Sequence, residues 1–299
     1  MMQNSLAIIG AGRVGRALGR RLRELGWCIG AVVTRSESSA RRAAQFIGAG
    51  KPRAGMTRQI LATPVILIAT PDDAIALVAQ ELARIGEEEL RGKTVLHTSG
   101  ALDSHVLEAV CKLGAAVGSM HPLQSFSGLA VPSLEGRVFT MEGDTQAMRI
   151  ARQIARSLGG SPVHIAGNKK VLYHAAAAMA AGQVLAVEEA ATQLLLSLGM
   201  RRGEAVRALL PLTRQVLENF ERLGPRAAWT GPLSRGDFKV VAAHLDALSE
   251  SPKEIVQAYE TLNRLGARLF APDAAAMMAE LEKLSLEKKP KAKAMGGNA

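Results

Sequence analysis

Hydrophobic and polar residues follow one another along the first 165 positions in blocks that predict strands and helices in turn. Between the strand-like blocks, apolar residues recur at spacings of three and four, as on one face of a helix. The block at residues 65–70 is a continuous apolar run, typical of a parallel strand covered on both faces. The strand-like blocks lie at residues 6–10, 27–33, 65–70, 94–98, 115–120, 137–141 and 161–165, with a shorter strand predicted near Ala54. This order predicts an α/β fold with a doubly wound, mostly parallel sheet.

The pattern changes after residue 168. From residue 169 to about 198, apolar residues extend around the whole predicted helix, and a helix of this kind is expected to be buried on every side. We therefore predict an α/β domain over residues 1–166 and an all-helical domain over residues 167–286, with this helix at its centre. Residues 287–299 are rich in lysine and glycine, which predicts a disordered basic tail.

A glycine-rich turn joins the first predicted strand to the first predicted helix. Gly10, Gly12 and Gly15 stand in G-x-G-x-x-G spacing around Arg13 and Val14. In a dinucleotide site the first glycine allows the turn, the second lets the backbone approach a pyrophosphate, and the third lets the helix pack on the strand. The amides at the helix start then face the phosphates. The alternative is a tight strand-to-helix turn that binds no nucleotide.

The end of the second predicted strand indicates which dinucleotide is bound. An acidic residue is expected here when the ribose carries a free 2′-hydroxyl, but the sequence reads Thr34, Arg35 and Ser36. A guanidinium with neighbouring hydroxyls suits a 2′-phosphate. We therefore predict NADP as the cofactor. The alternative is that Arg35 is a solvated surface residue and that Glu37 binds the ribose.

Two later strands end at the edge of the sheet where a doubly wound fold binds its ligand. Their last residues are therefore expected to border the cofactor. The candidates are Ala69, Thr70, Pro71, Thr98 and Ser99.

Two histidines stand in strands that lead to the same edge. His97 lies within a predicted buried strand and is interpreted as a core histidine with satisfied hydrogen bonds. His121 ends a strand and is followed by Pro122. An imidazole at that position could exchange a proton near neutral pH, or could only hydrogen-bond at the strand end.

Composition and charge argue against a nucleic-acid-binding protein. The chain of 299 residues is 48% hydrophobic and can bury a sizeable core. Its formal charge is +10, yet aromatic residues make up only 3%, so a stacking platform for nucleic acid is not expected. We interpret the basic character as attraction for anionic cofactors and substrates and predict no nucleic-acid partner.

Cysteine content and the N-terminus indicate the compartment. Cys28 and Cys111 are the two cysteines, too few for a disulfide framework, and are predicted to be small core residues in a reducing environment. No apolar run is read as a membrane span, and residues 1–5 lack a basic segment followed by an apolar one. A cytoplasmic protein with no membrane partner is predicted.

Taken together, these residues resemble a bacterial group with a Rossmann-like N-terminal domain and a helical C-terminal domain of unknown function, DUF2520. The resemblance spans nearly the whole chain before the tail. Gly182 departs from it, since the group usually carries asparagine there. The segments that carry it are residues 10–15, 97–100, 119–124, 173–177, Asn219 and 230–237. The group is similar to the 6-phosphogluconate, β-hydroxyacid, pyrroline-carboxylate and prephenate dehydrogenase superfamily, which implies an NADP-dependent oxidoreductase of unspecified substrate.

The resemblance also implies catalytic candidates. His121 and Pro122 resemble a segment of prephenate dehydrogenases whose histidine contacts the substrate hydroxyl. Lys170 and His174 are four residues apart on one helix face. They resemble the lysine and asparagine of β-hydroxyacid dehydrogenases, where the lysine is the acid/base, although histidine replaces the asparagine.

Four further residues are candidates for binding the substrate. They are Gln124, Tyr173, Arg235 and Asp237. For Arg235 and Asp237 the alternative is an ion pair in the loop, or a helix cap formed by Asp237.

The sequence thus predicts hydride transfer between NADP(H) and a small carbonyl, imine or hydroxy-acid compound in a cleft between the two domains. His121, Lys170 and His174 are the candidate proton donors, and no metal is predicted. The competing hypothesis is a binding protein that senses the NADP(H) state and acts through a partner. The long apolar helix predicts a homodimer.

Overall fold

The computed structural model describes residues 4–128 and 130–287. The predicted tail beyond Glu287 therefore lies outside the described residues. Two compact units are present, Met1–Gly182 and Gln183–Ala299. The division falls after Gly182, whereas the sequence places the domain boundary near residue 166.

The first unit is built on a sheet of eight strands in the order β3-β2-β1-β4-β5-β6-β7-β8. All neighbouring pairs are parallel except β6 and β7, which are antiparallel. The predicted mostly parallel, doubly wound α/β fold is confirmed, including the short strand that ends at Ala54. The strands are β1 (Ser5–Ile9), β2 (Cys28–Thr34), β3 (Lys51–Ala54), β4 (Val65–Ile68), β5 (Thr94–His97), β6 (Ala116–Pro122), β7 (Val138–Gly143) and β8 (Ser161–His164).

Helices cover both faces of this sheet, and two apolar clusters form the core. Leu18 and Leu22 of the first helix pack with Leu6 and Ile8 of β1 on one face, and Ile75 packs in the cluster on the other face. The helices of this unit are α1 (Arg13–Glu24), α2 (Glu37–Ile47), α3 (Asp72–Ile85), α4 (Glu108–Cys111), α5 (Thr145–Ser157) and α6 (Lys170–Ala178).

The second unit is all-helical within the described residues, as predicted. Its small core contains Leu233, Val241, Ala267 and Leu281. A π-helical segment, Met179–Gln183, separates α6 from the first helix of this unit. The helices are α7 (Val184–Ser197), α8 (Arg202–Leu223), α9 (Pro225–Ala228), α10 (Phe238–Ala247), α11 (Lys253–Phe270) and α12 (Ala274–Glu287).

Two predictions of burial are wrong. Cys28 and Cys111 are exposed, because each lies at the end of its element, where the sheet and helix no longer cover it. The apolar helical stretch is not buried on every side, since Leu172 is 72% exposed and Leu185 is 69% exposed. Among the residues that the structure describes, these side chains remain uncovered.

One helical stretch, Gly167–Ser197, is long and apolar enough to cross a membrane by length and composition alone. This differs from the expectation of no such run. The stretch includes the buried Lys170 and the charged pair Glu188 and Glu189, so it is weak evidence for a membrane span.

Candidate functional site

The glycine turn at the end of β1 has the geometry expected for holding a phosphate. Gly10 has a φ of 84°, a conformation that favours glycine, and a Cβ on Gly15 would lie 2.3 Å from the Gly10 carbonyl oxygen. A Cβ on Gly12, by contrast, would meet no atom within 4 Å. The first and third glycines are therefore required by the turn and by helix packing, while the second leaves the backbone open to a ligand.

A cavity of about 410 Å³ lies at the carboxyl ends of β1, β4, β5 and β6. These strands include the point between β1 and β4 where the strand order reverses, which is where doubly wound sheets bind ligands. The cavity lining brings together predicted cofactor residues with His121, Gln124 and His174. The cofactor residues among them are Gly12, Arg13, Val14, Ala69, Thr70, Pro71, Thr98 and Ser99.

The predicted 2′-phosphate residues lie at the end of β2 and directly after it, and they do not line this cavity. The Oγ1 of Thr34 donates to the Ser36 carbonyl oxygen at 2.8 Å. Ser36 caps α2 by accepting from the Ser39 amide, and the exposed Arg35 lies between them. Glu37, the alternative ribose ligand, pairs with Arg41 at 3.0 Å. The ion pair on the surface of α2 therefore joins Glu37 to Arg41 and does not involve Arg35.

A loop after β6 forms the far wall of the cavity. Gln124 and Phe126 line it, and Arg16 of α1 donates to the Gly128 carbonyl oxygen at 2.8 Å. This bond fixes the loop against the glycine-turn helix. Sequence reasoning does not identify Arg16, because its contact with Gly128 joins positions 112 residues apart.

His121 and Tyr173 form a hydrogen-bonded pair at the cavity. The Nδ1 of His121 lies 2.8 Å from the Tyr173 hydroxyl oxygen. A Cβ on Gly100, another lining residue, would lie 3.0 Å from the His121 Nε2 and 2.6 Å from the His174 Cδ2. Gly100 thus provides the space in which both imidazoles stand, and the Nε2 of His121 faces that side of the cavity.

Burial sets the protonation of the pair. The pKa of His121 is lowered to about 4, first by burial and then by the positive charges of Lys170 and His174. Burial raises the pKa of Tyr173. At neutral pH the imidazole is therefore neutral and the phenol keeps its proton.

Lys170 is buried behind this pair, at 2% exposure. Its Nζ donates to the Ser119 hydroxyl at 2.6 Å and to the Ser99 carbonyl oxygen at 2.9 Å. Burial lowers the pKa of Lys170 to about 8, against the opposing charges of Glu142, Asp103 and Asp72. The partial burial that a lysine acid/base requires is present, but Lys170 is not among the residues that line the cavity.

His97 has the structural role predicted for it. Its Nδ1 accepts from the Ser99 amide at 3.2 Å, and its Nε2 lies 3.1 Å from the Asp103 carbonyl oxygen. The amide can only donate, so the proton sits on Nε2. Burial lowers the pKa of His97 to about 4, which keeps it a neutral link at the end of β5.

Three polar residues near the candidate site are not among the predicted site residues: Ser119, Asp72 and Glu142. Ser99 is predicted only as a cofactor residue, and the structure adds further contacts. The Oγ of Ser99 donates to Asp72 at 2.8 Å and accepts from the Ala101 and Leu102 amides. Ser119 stands two residues before His121, so strand alternation places both on one face of β6. That signal was available, whereas the partners of Glu142 depend on strand pairing.

Arg235 and Asp237 lie in the second unit. Their side chains form an exposed ion pair, with Arg235 Nε 3.1 Å from Asp237 Oδ2. Asp237 precedes α10 but makes no side-chain cap bond. Of the two structural alternatives considered for this loop, the structure has the ion pair.

The fold and the cavity define a doubly wound α/β protein with a dinucleotide-type glycine turn. Two family models match this chain and agree with that description. A Rossmann-like domain matches residues 2–122, and DUF2520, a domain of unknown function, matches residues 137–265. The chain therefore carries a Rossmann-like domain followed by a DUF2520 domain, and the resemblance predicted from the sequence is confirmed.

Solved structures share this architecture over most of their length. A candidate NADP oxidoreductase from Bacteroides fragilis is 25% identical, with a TM-score of 0.72, over 88% of this chain and 97% of that chain. A protein from Thermotoga maritima is 25% identical, with a TM-score of 0.65, over 93% and 98%. A reductive aminase from Aspergillus terreus, solved with NADPH and ethyl levulinate, is 16% identical, with a TM-score of 0.66, over 93% and 99%. Comparison with curated proteins finds no match.

Proposed function

We propose that this protein is an NADP-dependent oxidoreductase that transfers hydride between NADP(H) and a small carbonyl, imine or hydroxy-acid compound. The observation that carries the proposal is that one cavity is lined both by the open backbone at Gly12 and by the His121 imidazole. A phosphate cradle and a proton-handling group thus meet at the carboxyl edge of the same sheet.

The cofactor assignment rests on the turns after β1 and β2. Gly12 and the start of α1 would hold the pyrophosphate, and Arg35 with Ser36 would hold the 2′-phosphate. The similarity to the candidate NADP oxidoreductase of Bacteroides fragilis supports this choice. When bound, NADPH supplies the hydride, and the protein supplies position and the proton.

His121 is proposed to bind the reacting heteroatom of the substrate. Because Tyr173 keeps its proton, its hydroxyl can donate to the Nδ1 of His121, which leaves Nε2–H as the donor toward the cavity. A neutral imidazole can polarise a carbonyl or imine in this way. His174, which is exposed and also lines the cavity, is proposed to exchange protons with solvent.

Lys170 is assigned a supporting role. Its ammonium links the main chain at Ser99 to the Ser119 hydroxyl, so it fixes the ends of β5 and β6 that carry the cavity residues. Its charge also favours the neutral form of His121. Of the three candidate proton donors, we therefore favour His121 over Lys170 as the group in contact with substrate.

The proposal is tested by two measurements on the full chain. Fluorescence titration with NADPH and NADH should show tighter binding of NADPH, and equal or tighter NADH binding would overturn the NADP assignment. Absorbance at 340 nm, followed against oxo-acids, imines and hydroxy acids, should show turnover. Tight NADPH binding with no turnover across the screen would favour the competing sensor function.

We also propose that the protein forms a homodimer through the apolar residues of the helical stretch. The large side chains of Leu185 and Val187 in α7 are 69% and 44% exposed, and exposed apolar patches mark interaction sites. Light scattering should give twice the chain mass, and Leu185→Glu should reduce it to the chain mass. A monomeric wild-type protein, or binding to neutral lipid vesicles, would contradict the dimer. The cytoplasmic location stays a prediction.

A further inference from the structure

Glu142 is a buried carboxylate that the proposed reaction does not use directly. It lies in β7 and is 7% exposed. Its Oε2 accepts from the Ser104 hydroxyl at 2.8 Å. Its Oε1 has no hydrogen-bond partner among the described residues. Burying a carboxylate is costly unless a positive charge or several donors compensate it, so one hydroxyl alone does not explain its presence.

The pairing of β6 and β7 brings Glu142 next to a buried cation. Glu142 stands directly opposite Ser119 in the antiparallel ladder, and Ser119 accepts a 2.6 Å hydrogen bond from the Lys170 ammonium. The other recorded acceptor of Lys170 is the neutral Ser99 carbonyl oxygen. Neither acceptor carries charge, so charge compensation for this ammonium has to come from a neighbouring carboxylate.

Charged and titratable groups face Lys170 from several elements. Two carboxylates other than Glu142 also raise the pKa of Lys170, but each accepts a hydrogen bond from a different group. Asp72 accepts from the Ser99 hydroxyl at 2.8 Å. Asp103 accepts from the His105 amide at 3.1 Å. The groups are Asp72 at the start of α3, His97 in β5, Asp103 after β5, His121 in β6 and Glu142 in β7.

Burial lowers the pKa of Lys170, and three carboxylates raise it. Of these three, Glu142 raises it most. It is also the one of the three that is buried, where a charge is screened least by solvent. Glu142 and the Lys170 ammonium are not in direct contact, but both lie beside Ser119. Each charge therefore offsets part of the cost of burying the other.

We propose that Glu142 is a positioning residue that keeps the Lys170 ammonium charged and holds it on Ser119. Through Lys170 it fixes the strand ends that carry Ser99 and His121, and it maintains the positive charge behind the His121 imidazole. This role deepens the proposed function and rests on it for its catalytic meaning. The charge coupling between Glu142 and Lys170 can be tested without substrate.

The first test is an NMR titration of Lys170 in full-length protein labelled with ¹³C at the lysine ε carbon. The Lys170 resonance is assigned by its loss in Lys170→Met. In Glu142→Gln its midpoint should fall by about one pH unit or more relative to wild type, because a close opposite charge is removed. Glu135→Gln, which removes an exposed glutamate before β7, should leave the midpoint unchanged. An unchanged midpoint in Glu142→Gln would overturn the proposal.

The second test is a double-mutant cycle followed by thermal unfolding. Lys170→Met should lower Tm strongly because it leaves Glu142 buried and unpaired, whereas Lys170→Met with Glu142→Gln should lower Tm less than the sum of the single changes. Additive effects would contradict the pair. If Glu142→Gln does not fold, Glu142→Asp and Ser104→Ala provide the titration instead, each with a smaller fall in midpoint, and no fall in either would overturn the proposal.

These readouts separate the positioning role from the proposed function. NADPH titration and the turnover screen can fail while the Lys170 midpoint still shifts. That outcome would overturn the proposed oxidoreductase function and leave the coupling between Glu142 and Lys170 standing. If turnover is found, Glu142→Gln should move the alkaline limb of the kcat profile to lower pH, and Glu142→Asp should partly restore it. A loss of kcat with an unmoved pH profile would contradict the proposed link to Lys170.

Discussion

The glycine turn and the His121 cluster, which comprises His121, Tyr173 and Lys170, are built in different ways. Gly12 and His121 line the same cavity. The turn uses main-chain geometry within six consecutive residues, 10–15, and its requirements are steric. The cluster uses side chains from two elements, β6 and α6, with the Lys170 ammonium bonded to a residue 71 positions away. In the proposed site, positions close in sequence would hold the phosphates of the cofactor, and positions distant in sequence would supply the proton chemistry.

The difference also appears in what each region tolerates. In the turn, Gly15 admits no Cβ, because the nearest atom would be main-chain oxygen at 2.3 Å. In the cluster, charge and hydrogen bonding limit which side chains can be substituted, because the neutral state of His121 depends on burial and on Lys170. A substitution in the turn should therefore act on binding and packing, and one in the cluster on protonation and rate.

The largest expected effect is on turnover by His121→Asn. Loss of the Nε2 donor should reduce kcat by about 10²–10⁴-fold, the usual range for a general acid–base group. NADPH affinity should stay the same, because the phosphate cradle is unaltered. His105→Asn is the control, since this histidine is exposed outside the cavity. A parallel loss of NADPH binding in His121→Asn would break the division between the two regions.

Gly12→Ala and Gly15→Ala should differ although both add one methyl group. At Gly12 the methyl meets no protein atom, so stability should be retained while NADPH affinity falls by about 10–100-fold, equivalent to roughly 1–3 kcal/mol of steric conflict. At Gly15 the conflict is internal, so both Tm and NADPH affinity should fall. Calorimetry and thermal unfolding measure both; normal NADPH binding by Gly12→Ala would refute the cradle.

Arg35→Gln should reduce NADPH affinity by about tenfold, since one charge-assisted hydrogen bond contributes roughly 1.5 kcal/mol. NADH affinity should not change, because its ribose lacks the phosphate. Arg84→Gln, at the exposed end of α3, serves as the control for loss of one positive charge. Equal losses for both coenzymes would show that Arg35 acts only through general electrostatic attraction.

The smallest expected effect is a shift of the His121 titration in Lys170→Met. Removing the ammonium should raise the pKa of His121 from about 4 by about one unit. It should stay below the ordinary value, because burial is the larger cause. Histidine ¹⁵N chemical shifts followed between pH 3 and 8 measure it, and an unmoved midpoint would show that the two groups are electrostatically independent.

Much of the first unit could be predicted because its signals are local. Apolar runs gave the strands, and the glycine spacing gave the turn, since both depend on neighbouring residues. For the candidate site, the position of His121 at a strand end is a local signal, whereas the contact between its Nδ1 and the Tyr173 hydroxyl is not. The proposed roles of both residues stay predictions. Glu142 carried no signal, because its role depends on standing opposite Ser119 across two antiparallel strands.

Exposure was the least predictable property. Cys28 was expected in the core because it belongs to a strand, yet it is exposed at the first position of β2. The apolar helical stretch was expected to be covered on all sides, yet Leu172 and Leu185 are exposed. A hydrophobic pattern indicates that a surface avoids water, but it does not indicate whether the same chain or a second copy covers it.

The amino-acid sequence was enough to determine the order of strands and helices along the chain and the position of the glycine turn. Both follow from short-range properties, namely hydrophobic periodicity and the spacing of glycines. The tertiary structure alone decided which side chains share the cavity, the neutral state of His121 and the burial of Lys170 with Glu142. The physical reason is that burial and strand pairing set the dielectric surroundings and the partners of an ionisable group, and these depend on residues far apart in the chain.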